Sequence, residues 1–207
     1  MQRSLLVSLI LCTGTAAWGQ AELLDGFGGP DGYGANLVAP NDDLSEGPIE
    51  IRNVFGVGLN FYGAQYPSLY LNTNGNVSFN AGIETYTPLP FPVAEQPMIA
   101  PYWADVDTRG RNVSNALYWH SDVEGGRFIA TWNDVGYYNS RTDLLNSFQL
   151  ILTDRSDAAP GDFTTPEAVE TLKITREKAD GPSEAGTAEK DLLAGQGGLK
   201  GWFAKYW

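Results

Sequence analysis

Residues 69–80 have the sequence LYLNTNGNVSFN and predict a β-hairpin. The dipeptide Asn74-Gly75 separates two runs that are rich in strand-forming residues. A two-residue Asn-Gly loop favours a type I′ turn, because both central residues of that turn adopt positive φ. The cross-strand pairs predicted by this loop are Tyr70 with Phe79 and Asn72 with Val77. The two leucines of the first run then lie on the face opposite these pairs, so we expect both faces of the hairpin to be covered.

Further strand signals continue to residue 162, almost without helical periodicity. A second hairpin is predicted around the turn at 122–126, and alternate residues of its second strand share one face. Seven or so short strands between Gly, Pro and Asn turns are typical of an all-β antiparallel sandwich, with a barrel-like sandwich as the alternative. The other predicted strands are 49–55, 59–62, 98–103, 115–121, 127–133 and 147–153. The aromatic residues expected in the core are Phe79, Trp103, Trp119, Phe128, Trp132 and Phe148.

Composition excludes several classes of protein. The 207 residues contain 13 Lys and Arg against 25 Asp and Glu, which gives a net charge of -12, and 12% of them are aromatic. The chain is too aromatic for an acidic disordered protein and too acidic for one that binds nucleic acid through phosphates. A single Cys and a single His exclude a disulfide scaffold and a Cys/His zinc module.

The first 21 residues predict a secretory signal peptide. Arg3 supplies the positive charge, residues 5–12 are apolar, and small residues favour cleavage after Gly19 or Ala21. The alternative is a buried N-terminal helix. Cleavage would remove Cys12, and no remaining segment is expected to span a membrane.

The C-terminal part differs in composition from the rest. Residues 22–165 hold 18 acidic and 6 basic side chains, whereas all five lysines lie after residue 172. This shift indicates a domain boundary, a linker or a change of reading frame near 163–166. Thr165-Pro166-Glu167 predicts a helix start, 179–198 a flexible linker, and 199–207 a short amphipathic end. The segments expected are a signal peptide (1–21), a Gly/Asp-rich segment (22–48), a β domain (49–163) and a short helical or disordered tail (164–207).

Several ordered blocks of sequence resemble the nidogen-like (NIDO) domain. They are YPSLYLNTNGNVSF (66–79), MIAPYWADVDTRG (98–110), FIATWNDVGYY (128–138) and NSFQLILTD (146–154). The resemblance implies an extracellular β-rich module associated with cell–matrix adhesion, and it defines no catalytic residue. After Phe163 the sequence departs from the family, so the C-terminal part of the domain is expected to be missing or replaced.

Two carboxylates form the sharpest candidate site. Asp105 and Asp107 would share one face of a strand, ~6–7 Å apart at ~3.3 Å per residue. Oxygen ligands of this kind suit calcium, with carbonyls or waters completing the shell. The alternatives are that they pair with Arg109 or Arg111, or cap a turn before Gly110. A glycoside hydrolase could use the same pair as acid and nucleophile, but nothing in the sequence indicates that the pKa values of the two carboxyl groups differ.

Two further motifs have simpler explanations. A Ser–His–Asp hydrolase would have to use His120, which alternates with Trp119 in a predicted strand without a nucleophile-elbow motif, so a structural histidine is favoured. Asn76 and Asn112 begin N-glycosylation sequons, which matter only in a eukaryotic secretory pathway.

We therefore expect a secreted, non-enzymatic nidogen-like module that binds an extracellular matrix or cell-surface protein or glycan. Loops on a rigid scaffold would carry the recognition. The sequence assigns no catalytic residue, no nucleic-acid partner and no cofactor other than calcium at Asp105 and Asp107. The alternatives are a secreted carbohydrate-active enzyme using those two carboxylates, and an incomplete domain without autonomous function.

Overall fold

The computed structural model describes residues 23–88, 96–110 and 115–165, together with three further strand segments after residue 172. The helix α1 spans Arg52–Phe55. The strands are β1 (Asn36–Leu37), β2 (Ser45–Glu50), β3 (Leu59–Phe61), β4 (Ala64–Tyr66), β5 (Ser68–Asn72), β6 (Asn76–Ser78), β7 (Met98–Ile99), β8 (Val106–Asp107), β9 (Ala116–Asp122), β10 (Arg127–Tyr137), β11 (Arg141–Asp154), β12 (Phe163–Thr164), β13 (Lys173–Ile174), β14 (Glu189–Ala194) and β15 (Lys200–Lys205).

Two antiparallel sheets make up the domain. The larger has the order β1-β9-β10-β11-β12, with β8 added to β10 and β13 to β11, and the smaller has the order β2-β5-β6-β7. Strands β3 and β4 form a separate hairpin. No closed barrel is present in the described part of the chain. The all-β sandwich is therefore confirmed, and the barrel-like alternative is not.

One hydrophobic core fills the space between the two sheets. The smaller sheet contributes residues such as Leu69, Leu71 and Val77, all fully buried. The larger sheet contributes the alternating inward residues of β10 and β11, as the two-residue period predicted. Those residues are Phe128, Ala130, Trp132, Phe148, Leu150 and Leu152, none of them more than 2% exposed. Of the six aromatic residues expected in the core, four are buried in it and Trp119 packs against it while half-buried. Trp103 is buried in a separate small cluster with Met98 and Ala100.

The turn of the first hairpin differs from the prediction by one residue. Leu71 pairs with Val77 and Asn72 with Asn76, so three residues rather than two connect the strands. Gly75 adopts φ 82°, whereas Asn74 does not adopt positive φ. The turn is a three-residue loop that ends in a left-handed glycine, one of the common alternatives to type I′. The predicted pairs of Tyr70 with Phe79 and Asn72 with Val77 are therefore wrong by one position.

Buried amides tie the first hairpin to its surroundings. Asn72 Nδ2 donates to Asn76 Oδ1 (2.6 Å) and to Ser78 Oγ (2.9 Å), while Asn72 Oδ1 accepts from Ser45 Oγ (2.6 Å). Asn72, Asn76 and Ser78 are all fully buried. The face opposite the leucines is thus covered as well, by polar contacts that satisfy one another. Because Asn76 is enclosed in this network, its sequon is closed to a glycan in the folded domain.

Other sequence predictions need correction as well. The predicted strand 98–103 ends at Ile99. The predicted strand 49–55 is half strand and half helix, because β2 ends at Glu50 and α1 begins at Arg52. The helix turns Val54 and Phe55 into the core, which a continued strand could not do for adjacent residues. In the tail, Lys200–Lys205 is a strand paired with Glu189–Ala194. The first of these was predicted as a short amphipathic end, and the second lies within the predicted flexible linker 179–198. The helix predicted from Thr165-Pro166-Glu167 and the signal peptide lie outside the described residues.

Candidate functional site: the acidic loop end

Three loops meet at one end of the sandwich, and we call this region the acidic loop end. It consists of the loop 41–44 before β2, the segment 105–109 around β8, and the tip 138–140 that joins β10 to β11. Strand β8 pairs with β10 through Asp107 opposite Gly136, which brings the second and third loops together. Both candidate carboxylates from the sequence lie in this region.

Asp107 is the buried centre that holds these loops together. Its side chain is fully buried, yet five hydrogen bonds reach its two oxygens. The backbone N–H and Nε of Arg109 donate to Oδ1 at 2.9 and 3.0 Å. Arg109 Nη2 (2.7 Å), Ser140 N (2.7 Å) and Ser140 Oγ (3.2 Å) donate to Oδ2. A buried carboxylate satisfied in this way stabilises the fold and has no lone pair directed at solvent.

The charge state of Asp107 follows from these contacts. Burial by itself raises the pKa of Asp107, but the hydrogen bonds from Arg109 and Ser140 outweigh burial and lower it to about 2. The same contacts raise the pKa of Arg109. Arg109 also donates from Nη2 to Asp42 Oδ2 at 2.6 Å, so one guanidinium links the segment 105–109 to the loop 41–44.

The first hairpin is hydrogen-bonded to two loops of the acidic loop end. Asn74 Nδ2 donates to Asp43 Oδ1 (2.8 Å), and Asn74 Oδ1 accepts from the backbone N–H of Val106 (2.9 Å). The backbone N–H of Asn41 donates to Thr108 Oγ1 at 2.8 Å, and that hydroxyl donates to the Asn41 carbonyl at 2.9 Å. The asparagines and threonines of these turns therefore fix the loops to one another and to the core.

A second set of carboxylates faces solvent. Oxygens of Asp42, Asp43 and Asp105 lie within 4.8 Å of one another. Burial and the neighbouring charges of Asp43, Asp42 and Asp107 raise the pKa of Asp105 to about 6. Burial, Asp107 and Asp43 also raise the pKa of Asp42 despite its pairing with Arg109. These three half-buried side chains concentrate negative charge at this end.

Exposed apolar side chains border the carboxylates. Tyr138, in the tip, is 67% exposed, and Leu44, at the end of the first loop, is 55% exposed. The next two residues of the tip, Asn139 and Ser140, adopt φ 65° and 55°, which is uncommon for residues other than glycine. The bonds from Ser140 to Asp107 anchor the tip next to the exposed Tyr138.

The structure separates the roles of the two carboxylates that the sequence grouped together. Asp107 pairs with Arg109, one of the alternatives considered, whereas Asp105 joins Asp42 and Asp43. Sequence reasoning missed Asp42 and Asp43. The signal available was the run Asn41-Asp42-Asp43 just before a strand, but nothing local shows that this loop meets residue 105.

His120 lies away from the acidic loop end, on β9. Its ring stacks on Phe27 with 5.2 Å between ring centroids. Phe27 in turn lies under the Arg127 guanidinium, 5.6 Å from the ring centroid. These contacts agree with a structural histidine in a strand.

Replacing Asp105 by Asn should stabilise the protein at neutral pH. Because the pKa of Asp105 is raised to about 6 in the fold, the ionised form is disfavoured and stability falls as pH rises from about 4 to about 6. After allowance for its partial exposure, Asp105→Asn should raise the free energy of unfolding by about 1–2 kcal/mol above that range. Urea denaturation across this pH range measures the effect.

A matched control for this change is Asp157→Asn. Asp157 is exposed and pairs with Arg155 at the surface, which lowers its pKa, so it is ionised from about pH 4 to about pH 6 and its replacement should leave the pH dependence in that range unchanged. A loss of stability in Asp105→Asn at neutral pH would contradict the inference that the carboxylates of Asp42, Asp43 and Asp105 repel one another.

Comparison with known proteins identifies the domain. The family model described as a nidogen-like domain matches residues 67–127 and 124–165. Nidogen of Drosophila melanogaster is 34% identical over 132 residues, which cover 53% of this chain and 10% of that protein. Mouse nidogen-2 is 32% identical over 190 residues, covering 74% of this chain and 13% of that protein. Human alpha-tectorin is 29% identical over 136 residues, covering 54% of this chain and 6% of that protein. No solved structure matches the chain.

The fold defines a β-sandwich module. Residues 67–165 belong to the nidogen-like domain family. The chain spans roughly a tenth of the length of the curated relatives that it matches. Nidogens and alpha-tectorin are secreted proteins of the extracellular matrix, and the location of this chain is extracellular. The one helix among the described residues has four residues and is far too short to cross a membrane.

Proposed function

We propose that the chain is a non-enzymatic adhesion module that binds a matrix or cell-surface partner through the acidic loop end. The observation that carries the proposal is the interlocking of three loops by Asp107 and Arg109, which displays Tyr138 and Leu44 beside three carboxylates. Preorganised loops lower the entropy cost of binding, and exposed tyrosines on rigid supports are frequent binding residues. The negative charge at this end favours a partner with a basic surface.

The geometry disfavours the enzymatic alternative. The pKa of Asp105 is about 6 and that of Asp107 is about 2. A pair of carboxyl groups with well-separated pKa values also occurs in glycoside hydrolases. However, the Asp107 side chain is fully buried and both of its oxygens accept hydrogen bonds from Arg109 or Ser140. A nucleophile must reach the sugar, and Asp107 cannot do so without breaking the loop cluster.

Calcium remains a second proposal for this end, with a changed set of ligands. Asp42, Asp43 and Asp105 offer hard oxygen donors at short separation, and Asp42 Oδ1 is buried without a hydrogen-bond partner among the described residues. Asp107 is not in the set, because its oxygens are occupied. Denaturation of the wild type and Asp105→Asn with excess calcium and with chelator tests it. A cation site requires calcium to stabilise the wild type and not the variant.

Tyr138→Ala tests the adhesion proposal directly. Because the Tyr138 ring is mostly exposed, the change should leave the melting temperature unaltered while weakening binding to a matrix partner at least about tenfold. Surface plasmon resonance of the full chain against purified matrix proteins and cell-surface glycans measures the effect. The same samples should release no sugar from a panel of polysaccharides.

The matched control is Tyr62→Ala. Tyr62 is 62% exposed and lies at the turn between β3 and β4, whose hairpin packs near residues 160–162 beyond the opposite end of β11. Its replacement should leave binding unchanged. Equal binding by wild type and Tyr138→Ala, or hydrolysis that is lost in Asp105→Asn, would overturn the proposal.

A further inference from the structure

Residues 23–38, which we call the outer arm, cover the face of the larger sheet that points away from the core. Leu24 binds the Gln149 side chain twice, because its N–H donates to Oε1 (2.9 Å) and its carbonyl accepts from Nε2 (2.8 Å). The Tyr118 hydroxyl donates to Asp31 Oδ2 at 2.7 Å. The last part of the arm is strand β1, which pairs with β9. The outer arm is therefore both a covering layer and an edge strand of the sheet.

An aromatic ring gives the outer arm a third anchor. The Phe27 ring contacts the His120 ring and the Arg127 guanidinium. Ile129 and Thr131 belong to the same outer face, and both are fully buried. An open arm would expose this face to water, so the face favours a covering segment that offers the same groups as the arm.

The outer arm is held mainly by contacts at the surface. Most of its residues are exposed, and its buried residues are Gly34 and Val38. Of these, Val38 alone adds its side chain to the hydrophobic core. A segment with so few buried apolar contacts opens at a fraction of the free energy of global unfolding. We therefore expect the arm to open while the rest of the domain stays folded.

Two exposed residues, Ala39 and Pro40, form the hinge between the outer arm and the rest of the domain. The residues on either side are fixed: the backbone N–H groups of Val38 and Asn41 donate to β9 (2.9 Å) and to the segment 105–109 (2.8 Å). Proline also restricts the residue before it to extended conformations. A short, stiff hinge of this kind favours the exchange of an element between two copies of a chain.

We propose that two copies of this chain exchange their outer arms, so that each arm binds the sheet of the other copy. A second copy offers the same main-chain groups, ring and carboxylate in the same order. Exchange therefore loses no contact of the arm, which makes it a low-cost route to a dimer. A foreign peptide would have to match these groups and also displace the arm. The inference goes beyond the proposed function, because the arm shares no residue with the acidic loop end.

Photocrosslinking in a mixture of isotopically light and heavy full-length chains tests the proposal. Both chains have benzoylphenylalanine in place of Phe27, which contacts β9 and β10 in the closed monomer. Each chain has a net charge of -12, so we use about 1 M sodium chloride, where the Debye length is ~3 Å, to screen repulsion. We expect a dimer fraction that rises with protein concentration, and crosslinks that join a light arm to a heavy sheet.

Variants of the hinge and of an anchor distinguish arm exchange from side-by-side association. Insertion of Gly-Ser-Gly after Ala39 should weaken dimerisation at least about tenfold, because a longer hinge favours the closed monomer. Tyr118→Phe removes the bond to Asp31 from the monomer and the dimer alike. It should therefore speed exchange about tenfold while changing the dimerisation constant by less than about twofold. Tyr138→Ala, at the acidic loop end, should change neither quantity.

Arm exchange is ruled out if the chain stays monomeric at every concentration. It is also ruled out if the dimers contain crosslinks only between an arm and a sheet of the same isotope, or if the longer hinge dimerises as well as the wild type. None of these measurements involves a matrix partner, so this test and the test of the acidic loop end fail independently.

Discussion

Gly75→Ala should abolish stable folding of the domain. A Cβ atom on Gly75 would overlap the Tyr102 carbonyl oxygen and would also lie 3.2 Å from the Phe148 ring. The residue adopts φ 82°, which L-residues disfavour. The backbone of 102–104 cannot retreat easily, because Tyr102 N and Ala104 N donate to the Gly75 and Asn74 carbonyls. We expect a loss of more than about 4 kcal/mol, a large part of the stability of a small domain.

Gly63→Ala separates backbone strain from steric overlap in this experiment. Gly63 has nearly the same φ, 83°, but a Cβ there would meet no atom within 4 Å. It should cost only about 1–2 kcal/mol, the ordinary penalty for a left-handed residue. Urea denaturation followed by tryptophan fluorescence measures both variants. Equal losses would show that the Tyr102 contact is unimportant.

Asp107→Asn should be the second strongly destabilising change, with a loss of about 3–5 kcal/mol at neutral pH. The variant keeps the size of the side chain but removes the charge that Arg109 and the Ser140 N–H require. An amide also offers one acceptor oxygen where the carboxylate uses two. Because Asp107 joins the segment 105–109 to the hairpin tip, we also expect faster hydrogen exchange at Ser140 and weaker binding through the acidic loop end.

The pH dependence gives an independent check on Asp107. Its pKa is lowered to about 2 in the fold, below the ordinary value near 3.9. Its contribution of about 2 kcal/mol is therefore present above about pH 4 and is lost as pH falls towards about 2. The variant should lack this acid-dependent loss. Asp143→Asn, which removes an exposed partner of Arg141 and Tyr137, should change stability far less than Asp107→Asn does.

Asp105 and Asp107 show why the candidate site was only half predictable. Their spacing predicted that they share one face of a strand, but Asp105 precedes β8 and joins the surface carboxylates, whereas Asp107 is buried in β8. Their opposite pKa shifts depend on partners from other loops. Arg109 is close to Asp107 in the sequence, and pairing with it was one of the predicted alternatives. Ser140, Asp42 and Asp43 come close only because β8 pairs with β10 and the loop 41–44 folds over Thr108.

The first hairpin was likewise predicted only in part, because its strands were correct and its turn was not. Composition and alternation correctly predicted both strands and the burial of Leu69 and Leu71. The turn length was wrong, because Asn-Gly suits more than one turn type and the choice was made by contacts to residues 102–104. A shift by one position in pairing cannot be seen in either strand alone.

The sequence by itself determined the all-β class, the inward faces of β10 and β11, and the family resemblance. These depend on periodicity and turn residues within short segments, which act locally. Tertiary structure alone decided which carboxylates are buried and paired and which gather at the surface. The bond from Arg109 to Asp42 spans 67 positions of sequence. Contacts of that range arise from the pairing of strands and the packing of two sheets, for which no local pattern in the chain gives the geometry.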